Sequence, residues 1–268
     1  APTTGTGWVD PIAALSLELL YDGDTAIAAA QYSYLPSGVQ FIADTDKARA
    51  SGRALVRAVV AWWKTLPEDD RPRLLLYGES LGVIAGEAAF SDLGDVVDSV
   101  DGVLWVGPPN SSRLWHDLVA RRDPGTREAD PTYSAGMTVR FAQDSSQLQS
   151  FVGDDTWGDS RILYIQHPSD PVVWWSPRLI RAPQPDWLRE TAGADRSPAM
   201  HWMPYITFFQ VSTDLPRATN VPHGHGHHYG TEILDGLALI CDDAFTAERI
   251  TQAHHELELA LAAQPSDD

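Results

Sequence analysis

The chain has 268 residues, 43% of them hydrophobic and 21% charged, a balance that supports a buried core and is far too apolar for a disordered chain. Lys and Arg number 19 against 37 Asp and Glu, a formal charge of −18, and the two lysines, Lys47 and Lys64, are too widely separated to build a basic patch. Nucleic acid and anionic membrane surfaces are therefore poor partners for this chain, and no apolar run approaches the roughly 18 residues of a membrane helix.

One domain over 1–268 suits this length. The start, Thr4-Gly5-Thr6-Gly7-Trp8, is a glycine-punctuated loop whose backbone N–H groups, at Thr6 and Gly7, are candidate oxyanion donors. No strand precedes the loop and Ala1 is not a Met, so a longer parent protein is expected.

Thr25 to Tyr34, Arg73 to Tyr77, Ser99 to Val106 and Arg161 to Gln166 read as strands, rich in Val, Leu, Ile and Tyr and each ended by a turn signal. Asp46 to Leu66, Leu81 to Phe90 and Thr231 to Ala263 have apolar residues at helical spacing, the last with a cap at Thr231 and acidic Glu232 and Asp235 in its first turns. Strands alternating with helices predict an α/β fold: a mostly parallel central sheet with helices on both faces. Residues near 110–158, long and polar, and near 176–217, rich in Pro and aromatics, are the expected cap or lid insertions.

After the second strand comes Gly78-Glu79-Ser80-Leu81-Gly82, a G-x-S-x-G running into the small-residue helix Gly82-Val83-Ile84-Ala85-Gly86. A strand-to-helix turn this tight needs glycine on both flanks, and it lifts Ser80 to the carboxyl edge of the sheet with the Leu81 N–H free for an oxyanion. A serine hydroxyl needs a base to take its proton and an acid to orient that base. Asp170, in His167-Pro168-Ser169-Asp170-Pro171 beyond the last strand, lies on the same sheet edge as Ser80; Asp154, Asp155, Asp159 and Asp214 are weaker rivals. Four of the nine histidines crowd into Pro222-His223-Gly224-His225-Gly226-His227-His228, and the base is expected there: His227 first, for its G-x-G-H setting, with His225 the alternative. His116, His201, His254 and His255 read as local or surface residues. Glu79, Trp174 and Trp175 are candidate substrate contacts, and the aromatics between Asp170 and the histidine loop suggest a lid over a greasy acyl site. No metal and no cofactor is expected.

In order along the chain, Thr4-Gly-Thr-Gly-Trp8, Gln31-Tyr-Ser-Tyr-Leu-Pro36, Gly78-Glu-Ser-Leu-Gly82, Trp105-Val-Gly-Pro-Pro109, His167-Pro-Ser-Asp-Pro171 and Pro222-His-Gly-His-Gly-His227 resemble the α/β-hydrolase domain at the C-terminal end of multi-pass actinobacterial membrane proteins. The resemblance implies a catalytic domain tethered to a membrane through a missing N-terminal region and acting on acyl lipids. The expectation is a serine hydrolase that cleaves or transfers an acyl group of a hydrophobic or lipid ester. Its rivals are a noncatalytic ligand-binding or sensor domain on the same fold and a metal-dependent hydrolase using the histidine-rich loop.

Overall fold

A computed structural model describes residues 9–31, 45–181, 183–241 and 245–263. Among them, four strands form one sheet: β1 (Leu75–Glu79), β2 (Gly102–Val106), β3 (Val139–Ala142) and β4 (Arg161–Ile165), in the order β1-β2-β4-β3 and all parallel. The register sets Glu79 beside Val106, Val106 beside Ile165 and Ile165 beside Ala142, so the carboxyl ends of the strands form one row. Loops leaving that row carry the candidate chemistry, as expected at the carboxyl edge of an α/β sheet.

After Gly102 and Arg161 the central strands β2 and β4 are apolar throughout because both faces are covered. Val103, Trp105, Ile162 and Tyr164 point into one core with Trp115 and Trp174; Leu104, Val106, Leu163 and Ile165 point into the other. The second core is closed by α1 (Pro11–Leu20) and by the apolar face of a helix at Glu232–Ile240. On the opposite face α2 (Asp46–Trp63) crosses α3 (Leu81–Glu87) at Gly52, where a Cβ would lie 2.2 Å from the Ala85 carbonyl oxygen, so only glycine permits the approach. A short helix α4 (Leu93–Val97) then leads into β2.

Four sequence expectations need correction. The stretch near 110–158 holds more than a lid: α5 (Arg113–Ala120) opens it, and the edge strand β3 and α6 (Ser145–Ser150) belong to the body of the sheet. β3 escapes a pattern reading because it is four residues long and contains Arg140, whose guanidinium is buried over the rings of Phe151 and Trp157 and paired with Asp154. Thr25 to Tyr34 shows no strand over 25–29, Ala30 makes a single bridge, and 32–34 lie outside the described residues. The final helix is two, α10 (Glu232–Ile240) and α11 (Ala247–Ala262), and Thr231 makes no side-chain capping bond. Between β4 and α10, the segment near 176–217 folds into short helical turns that include α8 (Asp186–Arg189) and α9 (Ile206–Asp214), following α7 (Pro171–Trp174).

Candidate active site

Ser80 stands between β1 and α3 with φ 53° and ψ −121°, a backbone conformation that costs a non-glycine residue about 1–3 kcal/mol. Its surroundings enforce it: the Ser80 N–H donates to Val106 O at 3.0 Å and the Val83 N–H to Ser80 O at 3.0 Å. A Cβ at Gly78 would lie 2.6 Å from the Gly82 carbonyl oxygen and 2.7 Å from the Trp105 ring, which is why glycine precedes the turn. The half-buried Ser80 hydroxyl has no hydrogen bond to a described residue, and the Leu81 N–H at the start of α3 has no acceptor among them. Thr6 and Gly7, the expected second donors, lie outside the described residues.

Asp170 caps α7 in the turn after β4, Oδ1 accepting the Val172 N–H at 2.8 Å. Its Oδ2 accepts from the Tyr229 hydroxyl at 2.7 Å and from His227 Nδ1 at 2.7 Å, and the carboxylate is fully buried. Burial pushes the Asp170 carboxyl up, but His227, Tyr229 and the Val172 amide together hold it below the usual carboxylate range. Burial likewise opposes a charge on His227, yet Asp170 and the more distant Glu79 outweigh it and raise the imidazole above its ordinary value. Nδ1 therefore carries the hydrogen and Nε2 is the nitrogen left with a lone pair. The ring lies against Gly107, the residue after Val106, whose carbonyl receives the Ser80 N–H. The His227 ring and Ser80 are thus brought to neighbouring strand ends.

His225 differs in every respect: its side chain is 53% exposed and its Nδ1 is 3.6 Å from Asp195 Oδ2. His223 and His228 contact each other, ring centroids 4.0 Å apart. Asp154 pairs with Arg140, while Asp155, Asp159 and Asp214 are exposed, as are His116 and His201. His254, expected at the surface, is half-buried and bonds Asp235 Oδ1 at 2.7 Å.

Glu79, next to Ser80, accepts the Tyr77 hydroxyl at 2.8 Å. Burial and the nearby Asp10 carboxylate raise it to about 7, although His227 and Tyr77 act the other way. Trp174, expected to touch substrate, is instead core: it is 2% exposed, stacks on Trp187 at 5.3 Å and donates to the His167 carbonyl at 3.1 Å. Trp175 is half-buried and donates to Ser212 Oγ at 2.8 Å. The sequence offered no site role for Gly107, Tyr229 or His167, and for Glu232 only that of a favourable charge at a helix start. A histidine three residues before Asp170, and a glutamate at the start of a largely apolar helix, were the available signals.

No three His, Cys, Asp or Glu side chains converge into a group that could hold a metal among the described residues. A parallel sheet wrapped by helices, with a strained serine at one strand end and a buried Asp–His pair beyond another, defines the α/β-hydrolase class. The chain belongs to the alpha/beta-hydrolase family, whose model matches residues 1–253. No curated protein and no solved structure matches it.

Proposed function

We propose that the protein is a serine hydrolase that cleaves or transfers the acyl group of an ester through Ser80, His227 and Asp170. The observation that carries this reading is the 2.7 Å bond from His227 Nδ1 to the buried Asp170, set on the same row of strand ends as Ser80. His227 Nε2 takes the Ser80 proton as Oγ attacks the acyl carbonyl; the oxyanion accepts the Leu81 N–H and a second donor from the Thr6–Gly7 loop. Collapse of the tetrahedral intermediate breaks the ester C–O bond, and the proton on His227 leaves with the alcohol. Water, or a second alcohol, then gives its proton to His227 and attacks the acyl-enzyme, and that proton returns to Ser80.

A hydrophobic or lipid ester is the preferred substrate class. Met203 just before α9, and Ile206 and Phe209 within it, are large and exposed in the segment between acid and base and support it. The membrane tether implied by the motif blocks belongs to the same proposal; no helix among the described residues is long and apolar enough to cross a membrane. The test is labelling of Ser80 by a fluorophosphonate probe, followed by a chain-length series of acyl esters. Labelling at Ser80 with a preference for longer chains is expected; absence of both would favour a noncatalytic ligand-binding domain.

A further inference from the structure

A buried pair outside the chemistry above, His167 and Glu232, grips the loop that carries His227. The two side chains are 0% and 4% exposed. His167 Nδ1 is 2.8 Å from the Gly226 carbonyl oxygen, and Nε2 is 2.7 Å from Glu232 Oε2. A carbonyl oxygen only accepts, so Nδ1 carries a hydrogen. Nε2 faces a carboxyl oxygen, and two lone pairs at that distance repel, so a proton lies there as well. The pair holds one proton more than a neutral imidazole beside a carboxylate.

Gly226, one residue before His227, is held from both sides. Its carbonyl accepts from His167, and its N–H donates to Ser169 Oγ at 2.8 Å, which in turn donates to Asp195. A single turn, 167–170, thus supplies the acid for the His227 ring and both grips on the preceding backbone. His227 is further tied by its N–H to Ala218 O at 2.8 Å.

We propose that His167, protonated against Glu232, is a positioning residue that keeps the Gly226–His227 segment seated on Asp170, and that loss of this proton at alkaline pH releases it. The inference rests on the serine-hydrolase reading for its effect on turnover, while the clamp itself stands on geometry. The groups facing His167 are Glu232 from α10, the Tyr229 ring stacked at 4.1 Å and the Gly226 carbonyl from the loop, and Asp170 from its own turn. Burial disfavours a charged His167, but the Glu232 hydrogen bond and charge outweigh it and raise the imidazole. Once the extra proton is lost, the remaining hydrogen stays on Nε2, where the charge-assisted bond to Glu232 is stronger, and Nδ1 turns a lone pair toward Gly226 O.

Glu232→Gln separates the alternatives. Glu232 Oε1 accepts from Ser145 Oγ at 2.9 Å and Oε2 faces His167, so in the amide the oxygen keeps Ser145 and the NH2 donates to a neutral Nε2. Nδ1–H then stays on Gly226 O with no proton to lose. The experiment measures the rate constant for fluorophosphonate labelling of Ser80 from about pH 5 to about pH 10. Wild type is expected to rise and then fall; E232Q should keep the rise and lose the fall. His167→Ala should label about 10²-fold more slowly, since a displacement near 1 Å in a reacting group costs that much, with His167→Asn restoring part through an amide placed near Nδ1. The same falling limb in E232Q overturns the clamp. Nitrogen NMR of the His167 ring is the second measurement. If wild type is not labelled at any pH, the hydrolase reading fails, and the clamp still stands if both ring nitrogens carry protons above the ordinary histidine range. A neutral His167 there overturns it.

Discussion

The imidazole of His227 occupies space that any side chain on Gly107 would take: a Cβ there would lie 2.4 Å from His227 Cε1 and 2.7 Å from Nδ1. Gly107 also has φ +54°, a conformation that costs L-residues about 1–2 kcal/mol. Gly107→Ala is therefore expected to push His227 off Asp170 and to slow Ser80 labelling about 10²-fold, with a stability loss of about 1–2 kcal/mol. Labelling rates and urea unfolding of the one variant check both halves.

Ser80→Ala should fold normally and lose labelling altogether, with turnover down on the order of 10⁴-fold or more, because in the proposed mechanism Ser80 alone carries the acyl group. Turnover at the wild-type rate in this variant would end the serine-hydrolase proposal.

The two loop histidines should separate widely. His227→Ala is expected to cost about 10⁴-fold, and Asp170→Asn about 10³- to 10⁴-fold through the wrong tautomer, whereas the exposed His225 should cost less than about 10-fold when replaced by Ala. A larger loss at His225 would move the base to that residue.

Labelling should rise with pH through a value above the ordinary histidine pKa, since burial is outweighed by Asp170, which stabilises the protonated ring. Glu79 is the next negative neighbour acting on that ring, so Glu79→Gln should move the rise to lower pH. A rise that stays in place would show that Glu79 is neutral or screened where His227 titrates.

Glu87, the last residue of α3, is buried against the start of α5, accepting the Leu114 N–H at 2.8 Å, the Trp115 N–H at 3.1 Å and the Tyr164 hydroxyl at 3.1 Å. Burial raises it to about 7 against these bonds. Because its folded pKa exceeds the unfolded value of about 4.3, the folded state binds the extra proton between those limits, and this group's contribution to stability falls as pH rises from about 4.3 to about 7. Glu87→Gln should flatten that slope, and Glu87→Ala, which strands two buried N–H groups, should cost roughly 2–5 kcal/mol; urea midpoints across pH measure both.

Local pattern made much of this protein legible. The apolar runs at 73–77, 99–106 and 161–166 hold strands, β2 and β4 buried on both faces, and G-x-S-x-G placed Ser80 on its turn, because a doubly covered strand and a cramped strand-to-helix turn each restrict composition at fixed spacing. Asp170 could be located the same way, since it follows a strand whose direction was already implied. What pattern could not supply was any pairing across long sequence separations. β3 is a strand only because β4 lies beside it and aromatic rings cover Arg140. Among four histidines of similar local setting, His227 is singled out by Asp170, 57 residues away, and by the space at Gly107. Glu232 reads as a favourable charge at a helix start, yet the helix's docking turns it inward onto His167, 65 residues distant. Spacing along a chain encodes which face a residue takes in its own element; which partner waits on that face is decided when the elements pack.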